Sequence, residues 1–442
     1  MSSRNRFTPH DAERYLLSLE LFGMRFGLDR MRRLMTALDS PHERFESIHV
    51  VGTNGKSSTA RMTAAILRRH GLKTGAYLSP HLTSFAERIE IAESAVSRER
   101  FAAAVNRAAQ AAALVDRTLA EGDRVTQFEA LTAAAYWELA REGVEVAVVE
   151  AGLGGRYDAT SVIDSSVTVL TNVGLEHTRW LGPTERHIAE EKLAVTRPRS
   201  TLVTGPLGSD SLEVANRVVR SGEARMLRFG SDFVAEGEPE HFAVTTPTAR
   251  YAGVELRPLG RFQRDNFAVA VAAAEAFRGS ALDRAAVRAA ARELTLPGRL
   301  EVVGHDPLVV LDGAHNPSGA GALAESLPAI IGSRELVIVV SVLEDKDAAG
   351  ILAALAPLAA GAVFTRSAVA GPDRHALPPA VLESLWRQLR GAAGEVVLEP
   401  GEALARARER AGVAGAVLVT GSIYLLAGLL SAGLARSTAT IG

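Results

Sequence analysis

The sequence predicts an α/β protein: a doubly wound, mostly parallel sheet, followed by a second and smaller α/β domain. Three observations predict it. Short apolar runs that end in polar residues, such as residues 144–149 before Glu150 and residues 167–173, alternate with stretches of helical periodicity. A glycine turn, Gly52-Thr53-Asn54-Gly55, joins one such run to a helical pattern that begins Lys56-Ser57-Ser58. That order aims backbone N–H groups and a helix N-terminus at one spot, which is how proteins hold phosphates. Finally, Leu296-Pro297-Gly298 interrupts the pattern, and the alternation of strands and helices then restarts.

Taken in order, residues 11–38 carry helical periodicity broken by Gly23 and Gly27. The loop strand ends at Val51, and a helix over about 57–70 is closed by Gly71. A short strand at 74–79 stops at Pro80, and the polar segment 80–93 reads as a functional loop. Helices are expected over about 98–121 and 127–142, then the strands that deliver Glu150 and, further on, Glu176 and His177. Alternation continues to about residue 222. Residues 224–258, with short alternating runs and Gly/Pro turns, predict a small β excursion. Helices at about 262–279 and 283–295 close a first domain spanning residues 1–296. Strands at about 308–311, 335–341, 361–366, 395–398 and 415–420 build the second, residues 297–442. A site using both would sit at their interface.

Composition narrows the function classes. A chain of 442 residues with 47% hydrophobic content can fill two cores. Its net charge of −2 advertises no nucleic-acid surface. The absence of cysteine excludes disulfides, thiolate metal sites and a cysteine nucleophile. Residues 1–15 lack the apolar core of a signal peptide. The most apolar stretch, residues 414–434, is broken by Thr420, Ser422 and Ser431 and reads as a buried strand, turn and helix. The expectation is a cytoplasmic monomer with no membrane and no nucleic-acid partner. Of 49 basic residues only Lys56, Lys73, Lys192 and Lys346 are lysines. Lysine is a compact point charge that can lose its proton, unlike arginine, so the retained ones draw attention. Codon bias alone would give the same count.

The loop departs from the usual phosphate-loop spacing, because Val50 stands where a glycine is expected. Lys56, Ser57 and Ser58 are placed to meet β- and γ-phosphates. Glu150, at a strand end before Gly152-Leu153-Gly154-Gly155, reads as a magnesium ligand or as part of a structural salt bridge. His177 follows a buried strand and reads as a ligand. Ser79 reads more readily as a turn former, Asn266 as a cap, and Lys192 as a surface lysine among Glu185, Glu190 and Glu191. The Asp312-Gly-Ala-His315-Asn316-Pro317 loop is dense in polar groups and reads as a site.

In sum these motifs resemble one family, the folylpolyglutamate synthase/dihydrofolate synthase branch of the Mur ligases. The resemblance runs in order through Phe22-Gly-Met…Gly27-Leu28, His49…Gly52-Thr-Asn-Gly-Lys56, Ser79-Pro-His-Leu and Glu87-Arg88-Ile89. It continues through Phe128-Glu129, Glu150-Ala-Gly-Leu-Gly-Gly-Arg156, Asp158-Ala-Thr160 and His177-Thr-Arg-Trp-Leu-Gly…Glu191-Lys192. Pro297-Gly-Arg299, Asp312-Gly-Ala-His-Asn-Pro317, Asp345-Lys-Asp347 and Gly421-Ser422 complete it.

The resemblance implies a Mur-ligase-like phosphate-loop ATPase domain and a Rossmann-like C-terminal domain. It implies an ATP-dependent ligase that adds L-glutamate to dihydropteroate, to reduced folates or to both, through an acyl phosphate. Gly52, Thr53, Asn54, Gly55, Lys56, Ser57 and Ser58 would cradle ATP, with Asn266 at the adenine and Arg299, Asp312 and His315 contributing from the second domain. Ser79, Glu150 and His177 would hold Mg2+. Lys192, converted to a carbamate by CO2, would hold a second Mg2+. Lys56, His177 and Lys192 would be the catalytic residues. The pteroate end would lie near Arg25, Phe26, Gly27 and Leu28, near Thr126, Gln127, Phe128 and Glu129, and near Arg156, Tyr157, Asp158 and Ala159. Two departures stand out: Ser57 replaces the family's usual glycine, and Leu193-Ala194-Val195 replaces Ala-Gly-Ile. The rival readings are a phosphate-loop NTPase or kinase, and another Mur-type amide ligase with a different acid.

Overall fold

The structure, a computed structural model, describes residues 6–20, 27–238, 240–368 and 375–435. The chain divides into two compact units. One comprises Met1–Gly237, His241–Glu255 and Asp265–Arg292, the other Glu238–Glu240, Leu256–Arg264 and Glu293–Gly442.

The first unit opens with helices α1 (Pro9–Ser18) and α2 (Asp29–Ala37), then strand β1 (Glu46–Val51), helix α3 (Lys56–Arg68), and strands β2 (Thr74–Tyr77), β3 (Ile89–Ile91) and β4 (Ser94–Ala95). Helices α4 (Arg98–Asp116) and α5 (Gln127–Arg141) follow. Then come β5 (Val146–Glu150), β6 (Val167–Leu170), α6 (Thr178–Leu181), α7 (Glu185–Leu193), β7 (Thr201–Thr204), α8 (Ser209–Gly222) and β8 (Arg225–Arg228). Eight strands form one sheet in the order β4-β3-β2-β5-β1-β6-β7-β8. Along the order from β2 to β8 every neighbour is parallel, and only β3 is reversed, pairing antiparallel with both β2 and β4.

The central strands are buried along nearly their whole length because both faces are covered, which is why they read as mostly apolar runs, with Ser47, His49 and Thr168 buried among them. Helix α4 packs on α1, α2 and α5, and their Ala, Leu and Val faces fill one core with Tyr77, Tyr136 and Phe101. The chain goes from β1 to β2 on one side and later to β6 on the other. The C-terminal end of β1 is therefore the switch point of the sheet, where such folds bind ligands. Register decides what meets there: Val50 lies opposite Glu150, Val51 opposite Leu170, and Tyr77 opposite Val149.

Strand β8 joins this sheet beside β7, so the expected β excursion starts later than residue 224. The excursion itself is a three-stranded sheet of β9 (Val234–Glu238), β10 (His241–Thr245) and β11 (Arg250–Val254), in the order β11-β10-β9. Helices α9 (Arg261–Arg278) and α10 (Arg284–Glu293) come next.

The second unit carries β12 (Glu301–His305), β13 (Leu308–Leu311), α11 (Pro317–Ile331), β14 (Leu336–Val340), α12 (Ala348–Leu355) and β15 (Ala359–Phe364). It ends with α13 (Pro379–Arg390), β16 (Glu395–Val396), α14 (Pro400–Ala411), β17 (Ala416–Thr420) and α15 (Ile423–Ser431). Its six-stranded sheet has the order β12-β13-β17-β14-β15-β16 and is parallel except for β12. Strand β12 went unread because Glu301-Val-Val-Gly-His305 is short, polar at both ends and broken by a glycine. Residues 414–434 are the buried strand and helix expected of them, and no helix among the described residues is long and apolar enough to cross a membrane.

Candidate active site

The loop after β1 is shaped by crowding. A β-carbon on Gly52 would sit 1.9 Å from Thr171 Oγ1, and one on Gly55 would sit 2.7 Å from Asn266 Oδ1. Gly55 is in the left-handed region at φ +80°, which glycine enters without steric cost, and it caps α3 with no side chain. The α3 N-terminus therefore presents its first N–H groups to the loop rather than to a capping oxygen. Residues after β6 fasten the loop. Asn54 N donates to Asn172 Oδ1 at 2.9 Å, Thr171 Oγ1 to Asn54 O at 2.6 Å, and Gly174 N to Thr53 Oγ1 at 3.0 Å. Sequence reading missed Thr171, Asn172 and Gly174, since nothing local links them to a loop more than a hundred residues earlier.

Two lysines converge on one carbonyl. Lys56 Nζ donates to Gly52 O at 3.1 Å and Thr53 O at 3.0 Å, while Lys192 Nζ donates to Gly52 O at 2.7 Å. Lys192 is buried, contrary to its pattern reading as a surface residue. Its helix α7 buries Ile188, Ala189, Lys192 and Leu193, one face at helical spacing, and Lys192 simply takes a place on that face. Gly155 makes the room: a β-carbon there would lie 2.7 Å from the carbonyl oxygens of both Glu191 and Lys192. Burial first, then the like charge of Lys56, pulls the Lys192 ammonium down to about 7, against the opposing pull of Glu176 and Asp158.

The buried Glu150 carboxylate is held at both oxygens. Ser57 Oγ donates to Oε1 at 2.9 Å and Ser79 N to Oε2 at 2.9 Å. His177 caps α6 in a left-handed conformation at φ +51°, with Nε2 3.8 Å from Glu176 Oε1. Among the described residues no three acids or imidazoles gather into a metal cage. Magnesium keeps several waters and needs only one or two carboxylates beside phosphate oxygens, so the hard donor set around Glu150 fits it.

The residues assigned to the pteroate end divide. Arg25 and Phe26 lie outside the described residues, and Gly27 and Leu28 lead into α2. Thr126 and Glu129 cap α5 reciprocally, and Glu129 is also bound by Arg30 Nε at 3.0 and 3.1 Å. Gln127 Nε2 donates to Leu16 O at 2.8 Å. Each of these three side chains is hydrogen-bonded within the first unit. Phe128 rests on Gly152, whose added β-carbon would lie 2.5 Å from its ring, and is half-buried. Asp158 is buried and caps the turn Ala159–Val162; burial raises it, against the N–H groups of Leu153 and Thr160. Ala159 is buried too. Arg156 pairs with Glu191 at 2.9 Å, and Tyr157 is exposed.

In the second unit, Asp312 at the end of β13 accepts from Leu300 N and Ala314 N, each at 2.8 Å. Burial raises it, opposed first by Arg299. Arg299 packs against Gly313, where a β-carbon would meet its guanidinium at 2.4 Å, and His315 Nδ1 lies 2.9 Å from Gly313 O. Arg299, Asp312 and His315 thus form one local group.

A switch-point phosphate loop with one half-buried and one buried lysine, in a unit followed by a second α/β sheet, is the signature of an ATP-dependent ligase of the Mur type. Residues 50–274 match the Mur ligase middle domain, and residues 298–423 match the Mur ligase, glutamate ligase domain. The dihydrofolate synthase/folylpolyglutamate synthase of Mycobacterium tuberculosis is 38% identical over 361 residues, covering 77% of this chain and 74% of the relative. A Haloferax volcanii protein named a probable bifunctional folylpolyglutamate synthase/dihydropteroate synthase is 37% identical over 425 residues. That alignment covers 95% of this chain but 50% of the relative, so the chain spans about half that protein's length. Among solved structures, the Mycobacterium tuberculosis folylpolyglutamate synthase complexed with ADP matches with a TM-score of 0.91 at 33% identity, over 97% of this chain and 98% of that one. The chain belongs to the folylpolyglutamate synthase/dihydrofolate synthase family, whose members use ATP to add glutamate to folates.

Proposed function

We propose that this chain joins L-glutamate to the carboxylate of dihydropteroate, of a reduced folate, or of both. The observation that carries the reading is the pair of lysines on the Gly52 carbonyl, one at the helix start and one buried. Lys56 leaves its loop carbonyls for the γ-phosphate of ATP while the substrate carboxylate attacks that phosphorus in line. ADP departs and an acyl phosphate forms. The amine of glutamate then attacks the acyl carbon, phosphate leaves, and an amide results. No protein nucleophile is needed. The N–H groups at the start of α3 hold the phosphates, and the side chains fixed by the fold supply position rather than covalent chemistry.

Glu150, Ser79 and His177 are the residues that would hold Mg2+, which when bound neutralises phosphate charge and polarises the phosphorus. Lys192 is the candidate for modification. Its neutral amine adds to the carbon of CO2 and releases a proton, giving an N-carboxylate able to hold a second Mg2+. Burial beside Lys56 favours the neutral amine this requires. Asn266, packed at Gly55, and Arg299, Asp312 and His315 are assigned to the nucleotide as part of the same proposal. Phe128 and Tyr157 are its candidates for contact with the pteroate rings.

The test supplies ATP, Mg2+ and glutamate with either dihydropteroate or tetrahydrofolate, and reads product mass and ADP. A gain of one glutamate on at least one acid is expected, with ADP release that requires both acid and amine. ADP release without them would assign the chain to NTPases instead.

A further inference from the structure

We infer that the Ser57 hydroxyl is a positioning group that sets the Glu150 carboxylate for its metal; the inference rests on the reading of Glu150 as a magnesium ligand. Ser57 is the second residue of α3, and its Oγ reaches across to the end of β5, 93 residues later in the chain. It lies 2.9 Å from Glu150 Oε1 and 3.3 Å from Ser79 O. A hydroxyl has one proton, and the shorter, charge-assisted contact takes it. Ser79 N–H holds the other carboxylate oxygen at 2.9 Å.

The carboxylate is thus clamped from two elements, the helix of the phosphate loop and the turn after β2. A carboxylate oxygen carries more than one lone pair, so accepting a hydrogen bond does not by itself bar it from a cation. Glu150 is 2% exposed, which limits how freely water can stand in for a clamp that is removed. Removing the Ser57 donor takes away the contact at Oε1, and the terminal torsion of a glutamate, which is broad, is then less restrained. A metal then meets a carboxylate that must be re-ordered on binding. The same hydroxyl ties the metal carboxylate to the helix whose N-terminus holds the phosphates, so metal and phosphate are registered by one residue.

The experiment measures Mn2+ binding by electron paramagnetic resonance, in the presence of ADP, for the wild type and the Ser57→Ala, Ser57→Thr and Glu150→Gln variants. Ser57→Ala is expected to bind Mn2+ about tenfold more weakly, Ser57→Thr to recover to within about threefold of wild type, and Glu150→Gln to be weakest. A thermal melt of each variant separates this from misfolding, because alanine is the better helix former and leaves α3 intact. Ser57→Ala binding as tightly as wild type while Glu150→Gln is weakened overturns the role of Ser57 alone. A threonine variant as weak as the alanine one also overturns it, since the hydroxyl is then not the cause. Equal affinity in all four proteins overturns the reading of Glu150 as the metal carboxylate.

Discussion

Arg30 and Lys192 are both buried cations of the first unit, and their surroundings treat them in opposite ways. Burial pulls each toward neutrality. Arg30 meets Glu129 and Asp123, with contacts of 3.0 and 2.9 Å, and they outweigh burial and hold it above the usual arginine range. Lys192 meets a carbonyl and a second lysine, and it falls to about 7. Paired opposite charges close a structure. Like charges kept together in a buried place must be held by the rest of the fold, and such places are where chemistry is found. The comparison separates the Arg30 network, which fixes the α2–α5 region, from the loop cluster, which is proposed to take the phosphates.

The contrast can be broken by mutation. Lys192→Ala should lose about a thousandfold in ligase rate, about 4 kcal/mol of barrier, with its melt little changed. Added short carboxylates should restore part of the rate, and Lys192→Arg should fail, since a guanidinium stays charged and forms no carbamate. Full activity in either variant would end the carbamate role. Arg30→Met should do the reverse, costing about 3 kcal/mol in urea unfolding by taking the cation from the buried Glu129 and the half-buried Asp123, while the folded enzyme keeps its turnover. A large rate loss at unchanged stability would move Arg30 into the active site. Glu150→Gln keeps the shape but removes the negative charge and replaces one carboxylate oxygen with an NH2 group. It should lower the rate about a hundredfold at limiting Mg2+, some 2.7 kcal/mol, with partial recovery as Mg2+ is raised.

The smallest effect concerns a neutral buried group. His49, deep in β1 with Nε2 2.9 Å from Thr160 Oγ1, is pulled to about 3, first by burial and then by Arg197. Its unfolded value is near the ordinary 6.5. The folded state therefore refuses a proton that the unfolded state accepts. Stability from this group is complete above about 6.5 and lost as pH falls toward 3, by up to about 1.4 kcal/mol per pH unit. Urea unfolding at pH 7, 6 and 5 should show a shallower loss in His49→Asn than in wild type. Parallel lines would remove His49 from the acid response.

The sheet was legible because its strands are buried on both faces. Val-Ala-Val-Val-Glu150 and the Leu-Val-Ile-Val-Val of residues 336–340 have no solvent side to encode, so they read as continuous apolar runs. Strand β12 failed the same test because it lies at a sheet edge, where polar ends are tolerated. At the site, local chemistry was legible and partnership was not. Lys56 could be picked out by its place at a helix start after a glycine turn, and Glu150 by its place at the end of a strand. That Ser57 binds Glu150, or Lys192 the carbonyl of Gly52, depends on strand order and register, which no local pattern records. Thr126-Gln-Phe-Glu129 carries two kinds of information. Its spacing spells a reciprocal helix cap, which the structure forms with Glu129 also bound by Arg30, and the resemblance assigns the same residues to the pteroate end.

Gly155 has no side chain to donate, accept or titrate, yet its bareness is what lets the end of α7 approach. A survey of tolerated substitutions across this chain should therefore find alanine at position 155 as damaging as alanine at 192, and for the same reason. Heredity would record the position of an amine through a residue that never touches the reaction.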